Sequence, residues 1–417
     1  MDVRGMIYGL IGEHLGHSFS AEIHARLGEE PYQLRELAPE QVGSFLREGD
    51  FRGINVTIPY KQTVIPYLDE ISGTAKEIGA VNTIVRRGGR LTGDNTDAAG
   101  LTMLLRRIGA RLEGRKVLVL GTGGTSRTAV YTAGQLGARE IIRVSRKARE
   151  GAVTYEQAAE EHADAQILIN TTPCGMYPRP EDCPVNLDRF PALEAVADAV
   201  YNPLRTNLVL EARRRGIPAE GGLFMLTAQA VRAAELFRNT EYPPETAEKL
   251  YRELLREKEN MVLIGMPGSG KSTIAEALRR RTGRSVADTD ALIARRAGKS
   301  IPEIFREEGE AFFRDLESQV IAEVSAGSGQ IIATGGGAVL RPENVRALKR
   351  NGRLILLERQ AETLTPTADR PLADTREKMN RLWKEREPIY RAAADCTVCP
   401  AGTPEEAAAE TESRWQR

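Results

Sequence analysis

Twice in this chain a short apolar run breaks into a glycine-rich turn that opens straight into a helical pattern. The first is KVLVLGTGGTSRTAVYTAGQLGA, with its turn at Gly121 to Gly124 and a helix expected from Ser126; the second is MVLIGMPGSGKSTIAEALRRRTG, with the same pattern around Gly265 to Thr273. A buried strand followed by a tight turn and a helix start belongs to a parallel-sheet α/β fold. Exposed loop amides and the positive end of a helix also attract anionic oxygens, so each unit predicts a phosphate-binding site. Two such units in 417 residues agree with two or three domains at about 100 to 200 residues each.

Composition narrows the ligands. The 58 Lys and Arg balance the 58 Asp and Glu. That balance argues against nucleic acid or an anionic membrane, both of which select a basic excess or a basic face. Small molecules are the expected partners. No apolar run is long enough to cross a bilayer, and the N-terminus shows no signal peptide, so a cytoplasmic location is expected. Four cysteines are too few for a disulfide framework, and Cys396 and Cys399 read as half-buried strand residues rather than a zinc or redox pair.

PPETAEKLYRELLREKE carries helix signals and runs up to Asn260, which puts a domain boundary near Glu259. No Gly/Ser-rich or Pro-rich tether follows, so the two halves are expected to be held close. The alanine- and glutamate-rich PEEAAAETES near the C-terminus reads as a short exposed helix.

Residues 265–272 fit GxxxxGK(S/T) in full, directly after a strand. The loop Gly268, Ser269, Gly270, Lys271, Ser272 and Thr273 is expected to cradle the phosphates of ATP. Lys271 would neutralise them, and Ser272 would ligate Mg²⁺. DTD (288–290), FFRDLE (312–317), TGGGAV (334–339), DRPL (369–372) and EREPIY (385–390) follow in order, and together the set resembles shikimate kinase over nearly all of residues 260 to 417. The resemblance implies that Asp290, Arg314, Gly336 and Arg386 hold shikimate. It gives Asp290 a part in activating the attacking hydroxyl, Asp288 a water-mediated hold on Mg²⁺, and Arg370 a reach over the nucleotide from a lid at about Glu362 to Asp374. Guanidinium forks at Arg314 and Arg386 suit a small carboxylate. Glu317, three residues after Arg314, is expected to pair with it. The chain departs from the family in a short lid that lacks the usual upstream basic residue and has Ala373 for leucine.

In the first half, REIIRVSRKARE reads as a second strand ending in Ser145, Arg146 and Lys147, where an NAD-binding unit places an acid for the ribose; basic residues there favour NADP(H). GHSFS (16–20), NVTIPYK (55–61), GAVNT (79–83), GDNTD (93–97), NTTPCGM (170–176), YNP (201–203) and MLTAQA (225–230) resemble shikimate dehydrogenase over residues 5 to 255. By that resemblance Ser18 and Ser20 bind the substrate carboxylate, while Thr57, Asn82, Tyr201 and Gln229 position the ring. Lys61 and Asp97 form the catalytic pair. Gly121, Thr122, Gly123, Gly124 and Thr125 line the pyrophosphate turn, with Gly222 near the nicotinamide. Ala21 and Ala98 replace a proline and a glycine usual in the family. His17 reads as a residue behind the substrate site, and His14 and His24 as surface.

The expected architecture is a two-lobed dehydrogenase with a Rossmann-like NADP domain, followed by a P-loop α/β/α domain. Its parts are residues 1–100 plus 226–257 for substrate, 101–225 for NADP and 258–417 for the kinase. The implied function is bifunctional: NADPH reduces 3-dehydroshikimate to shikimate, which MgATP then phosphorylates. Three other readings stay open from the residues: a quinate-preferring dehydrogenase, a kinase for another small polyol or nucleotide, and a metabolite sensor without turnover. Against the sensor stands the presence together of Lys61, Asp97, Lys271 and Ser272.

Overall fold

The computed structural model describes residues 7–16, 18–28, 31–359, 364 and 375–416. Arg370, His17 and all of the expected lid except Leu364 lie outside them. The chain divides into two compact units, Met1–Glu253 and Leu254–Arg417, and the division falls inside the helix Thr246–Lys258. The last turn of that helix is tied into the second unit: Gly329 N–H donates to the Lys258 carbonyl (2.8 Å), and Arg284 donates to the Arg256 and Glu259 carbonyls. These bonds draw the division a few residues ahead of Glu259, where the helix's hydrogen-bonded end begins.

The first unit holds two sheets. β1 (Tyr8–Gly12), β2 (Tyr32–Glu36), β3 (Gly53–Val56), β4 (Glu70–Ile71), β5 (Thr83–Arg87) and β6 (Arg90–Asp94) lie in the order β2-β1-β3-β5-β6-β4. This sheet is mixed. β5 and β6 form an antiparallel hairpin because Gly88 and Gly89 both take positive φ (57° and 80°), as a tight two-residue hairpin turn requires. Its fully buried strand β3 sits over a core that includes Ile54, Val56, Tyr60 and Ile84.

β7 (Lys116–Leu120), β8 (Glu140–Ser145), β9 (Val153–Thr154), β10 (Ile167–Asn170), β11 (Ala195–Asp198) and β12 (Ala219–Glu220) form a second, wholly parallel sheet, ordered β12-β11-β10-β7-β8-β9. The connections reverse direction between β7 and β10, which leaves a crevice beyond their carboxyl ends. The helix after the β7 turn begins at Gly124, two residues earlier than expected from its apolar periodicity. The helix Leu223–Arg238 returns to pack on Asp97–Arg107 so closely that a Cβ on Gly100 would stand 2.6 Å from the Met225 carbonyl oxygen.

The second unit is one parallel sheet, β13 (Asn260–Ile264), β14 (Val286–Asp288), β15 (Ile331–Ala333), β16 (Gly352–Leu357) and β17 (Cys396–Val398), ordered β14-β15-β13-β16-β17 between helical layers.

Three expectations change. His24 is fully buried, its ring stacked on Tyr32 (centroids 4.2 Å, planes 3° apart), because it shares the inner face of the helix Ser20–Arg26 with Ile23. Cys399 is exposed beyond the end of β17, while Cys396 is half-buried within it. The C-terminal helix, Pro404–Gln416, is not simply exposed: Ala407, Ala408, Thr411 and Trp415 recur at helical spacing and bury against the sheet and the helix Lys271–Thr282. Trp415 lies under the Arg284 guanidinium at 4.6 Å. Trp415→Ala should therefore cost the second unit ~3–5 kcal/mol, seen in calorimetry as an earlier transition for that unit beside an unmoved one for the first.

Candidate active sites

In the first unit, the hairpin β5–β6 delivers Asn82 and Asp97 to one point from its two sides, Asn82 just before β5 and Asp97 in the first turn of the helix after β6. Lys61 Nζ meets Asp97 Oδ2 at 2.6 Å. The other carboxylate oxygen accepts from Asn82 Nδ2 at 2.9 Å, and Asn82 Oδ1 accepts from the Thr96 N–H at 2.7 Å. Gln229 joins from the distant helix Leu223–Arg238, its Oε1 accepting from Thr96 Oγ1 (3.3 Å) and Asn82 Nδ2 (3.4 Å). Asn82, Thr96, Asp97 and Gln229 are all buried, so the network is held by its own bonds rather than by water. Ser18 and Ser20 form a second group, hydroxyl to hydroxyl at 3.0 Å, and the ring of the intervening residue Phe19 packs against Tyr201 (centroids 5.4 Å). Thr57 packs its methyl group over Gly12 at the end of β1.

Lys61 also lines a cleft of about 1340 Å³ at the carboxyl ends of β7 and β10. Gly121 through Thr125, Ser145, Arg146 and Lys147 face the same cleft. A glycine loop heading a helix and a cationic rim suit a dinucleotide with a 2′-phosphate, so NADP(H) fits these residues. Gly222 stands apart from the cleft's lining: it begins the helix Leu223–Arg238 and is pressed against the Ala199 backbone, its N–H donating to the Val200 carbonyl (2.8 Å).

Residue-by-residue reasoning missed Arg149, which lines the cleft and donates to Thr122 Oγ1 (3.1 Å); the basic run SRKAR continues to it. It also missed Asp198 at the end of β11. This fully buried carboxylate accepts from Asn170 Nδ2 (2.8 Å), the Val200 N–H (3.0 Å) and Thr206 Oγ1 (2.6 Å). It thereby ties the Thr171–Thr172 wall of the cleft to the segment that carries Tyr201. Burial pushes its pKa up to about 6, against the pull of those three bonds.

In the second unit, Ser272 Oγ donates to Asp288 Oδ2 at 2.7 Å. Asp288 Oδ1 accepts the Asp290 (3.0 Å) and Ala291 (3.2 Å) N–H groups, which caps the start of the next helix. Hydroxyl and carboxylate oxygens beside a phosphate loop are a donor set that suits Mg²⁺. Lys271 Nζ rests on the Gly265 and Met266 carbonyls, 2.8 Å from each. The adjoining cavity of about 460 Å³ is lined by Gly268, Gly270, Lys271, Ser272, Thr273, Asp290, Arg314, Gly336 and Arg386. Ser269, within the loop, is buried. Arg314 Nη1 donates to Glu317 Oε2 (2.7 Å) and Arg386 Nη1 to the Gly336 carbonyl (3.0 Å). The sequence reading named one glycine of TGGGAV, and the other two matter as much. A Cβ on Gly335 would press on Asp290 and Glu317, and one on Gly337 would collide with the Arg314 guanidinium. The cavity's apolar wall, Ile301, Phe305 and Phe313, was also missed.

Residues 10–84 match the family model of the shikimate dehydrogenase substrate-binding domain, and residues 267–415 that of shikimate kinase. The NADP⁺-dependent shikimate dehydrogenase of Clostridium beijerinckii is 37% identical over 261 residues, 58% of this chain and 96% of its own. The chain belongs to the shikimate dehydrogenase family. It carries a shikimate kinase domain behind the dehydrogenase. The Geobacillus kaustophilus shikimate dehydrogenase is 39% identical over 55% of this chain and 91% of its own. Among solved structures, shikimate dehydrogenase 1 of Peptoclostridium difficile superposes with a TM-score of 0.55 at 33% identity, covering 60% of this chain and 98% of that one. A chorismate mutase/shikimate 5-dehydrogenase fusion protein of Clostridium acetobutylicum gives 0.56 at 32% identity over 60% and 97%.

The raised pKa of Asp198 has a defined sign. Below about pH 4 the group is protonated folded or unfolded. Between about pH 4 and 6 the unfolded chain releases this proton first, so folding loses about 3 kcal/mol that is not regained above about pH 6. Asp198→Asn removes this titration. The variant's unfolding free energy relative to the parent should rise by that amount across the same pH window in urea titrations of the first unit, then stay level.

Proposed function

We propose that the Lys61–Asp97 pair carries the proton of the reduction and that the Ser272–Asp288 pair organises the phosphoryl transfer. The chain is a bifunctional shikimate-pathway enzyme that uses NADP(H), ATP and Mg²⁺. Its first reaction converts 3-dehydroshikimate to shikimate, and its second phosphorylates that product. Residues 1–100 with 226–257 form the substrate part of the dehydrogenase, 101–225 the NADP part, and 258–417 the kinase. Small molecules are its only partners on this reading, and the cytoplasm, where NADPH and ATP are supplied, is its location.

Ser18 and Ser20 hold the substrate carboxylate with their two hydroxyls, and Thr57, Asn82, Tyr201 and Gln229 set the ring above Lys61. Gly121 to Thr125 with Ser145, Arg146 and Lys147 would hold NADPH, which would supply the hydride. As the carbonyl carbon gains the hydride, its oxygen takes a proton from Lys61 Nζ, and Asp97 keeps that ammonium aimed. The 2.6 Å contact between Lys61 and Asp97 at the rim of the cofactor cleft is the observation that carries this reading.

In the kinase, Arg314 and Arg386 take the shikimate carboxylate and Asp290 accepts from the ring hydroxyls and orients the attacking one, beside Gly336. Gly268 to Thr273 hold the triphosphate. Ser272 and, through water, Asp288 would hold Mg²⁺, which would neutralise charge on the transferring group. Arg370, outside the described residues, completes the nucleotide grip.

Lys61→Ala should lower the dehydrogenase kcat by ~10²–10⁴-fold and leave phosphorylation of added shikimate unchanged; Lys271→Ala should do the reverse. Loss of both activities in either variant, or neither activity in the parent, would overturn the assignment. A small acid diffuses over protein dimensions faster than typical turnover, so labelled intermediate should mix freely with added shikimate in a coupled isotope-dilution assay.

A further inference from the structure

Beyond Leu357, at the end of β16, the chain runs alongside the phosphate loop. A Cβ on Gly265 would stand 2.7 Å from the Leu357 carbonyl oxygen, and Arg359 Nη2 lies 3.9 Å from where a Cβ on Gly270 would stand. The acid next to Arg359 is already taken. Glu358 donates its N–H to the Val398 carbonyl (2.9 Å), and its carboxylate accepts from Arg391 Nη2 (2.5 Å). Arg359 itself is half-buried, and its buried Nε has no hydrogen-bond partner among the described residues.

A guanidinium stays charged in any protein. A buried charged donor without an acceptor is unfavourable. So is a cation beside the positive end of a helix, here the helix that starts at Lys271. One ligand class relieves both penalties, an anion seated on the phosphate loop. Lys271 Nζ rests on two carbonyls of its own loop, and Arg359 brings a further cation beside that loop at Gly270.

We propose that Arg359 is a nucleotide-contacting residue of the kinase, its guanidinium donating to a phosphate oxygen of the bound nucleoside triphosphate. This rests on the reading of the second unit as a MgATP-dependent kinase. The contact is to the polyphosphate and not to the base, because the phosphate loop is what the guanidinium adjoins.

The test is calorimetric binding to the full chain, comparing the parent with Arg359→Met and Arg359→Lys, with ATP, ADP and inorganic tripolyphosphate as probes. Arg359→Met should weaken all three by about ten- to a hundredfold, the range of a hydrogen bond to a charged group. Arg359→Lys should recover part of the loss. KM for shikimate should stay at its parental value, which reports that the second unit is folded around its substrate site, and the dehydrogenase activity of the first unit should be unchanged. Unchanged affinity for all three probes in Arg359→Met overturns the proposal. So does weaker ATP with unchanged tripolyphosphate, which would put the guanidinium against the base. If the parent binds MgATP but does not phosphorylate shikimate, the kinase reading fails while the binding comparison still decides the role of Arg359.

Discussion

In both units one glycine at the end of a central parallel strand decides how near the neighbouring chain can come. Gly121 follows β7 with φ of 109° and Gly265 follows β13 with φ of 142°, conformations that side chains rarely adopt. Space is as restrictive as torsion. A Cβ at Gly121 would lie 2.7 Å from Thr171 Oγ1, and one at Gly265 equally near the Leu357 carbonyl oxygen. Because these strands pair in parallel, each neighbour ends on the same edge, and its following loop is brought beside the turn. The Thr171–Thr172 wall of one site and the Leu357–Arg359 segment of the other therefore depend on a missing methyl group.

The two sites keep buried charge in different ways. Asp97 is bonded at both oxygens, to Lys61 and to Asn82, so the carboxylate cannot turn away from the ammonium it orients. Glu317 is bonded at one oxygen by Arg314, and the other is buried without a hydrogen-bond partner among the described residues, under Gly335 and across from Asp290. Burial raises its pKa against the pull of Arg314. An ion pair removed from water is seldom a net gain in stability. These pairs are better understood as fixing Lys61 and Arg314 in one pose before substrate arrives.

The chemistry was legible in the sequence wherever function needs several residue types at fixed short spacing. GxxxxGK(S/T) and DTD specify loop, hydroxyl and carboxylates within one short stretch of chain, from Gly265 to Asp290, and the fold sets them as the spacing implies. Contacts made across the fold were not legible. Nothing near Asp198 in sequence says that Asn170 and Thr206 converge on it, and Arg149 reads as surface charge until β8 and the glycine turn are laid side by side. His24 and the helix face of Ala407, Ala408 and Thr411 were misjudged for a related reason, since burial of a side chain depends on what packs against its helix. The mixed first sheet followed from Gly88–Gly89, a turn signal that strand counting alone passes over.

The spacing of two in DTD gives its acids separate work on one helix end. Asp288 caps the helix Thr289–Ala297 through Oδ1 and accepts a hydrogen bond from the Ser272 hydroxyl on Oδ2, which fixes the carboxylate plane. Asp290 lies in the first turn, where the positive end of the helix favours a carboxylate, and faces Glu317 across Gly335. Ser272 has a single proton to give, so once that proton points to Asp288 the oxygen's lone pairs are free to meet a cation. Three acids beside a loop built for phosphate would otherwise repel the ligand. Their negative charge is tolerable only with cations interposed, and Arg314, Arg386 and Lys271 line the same cavity for that reason.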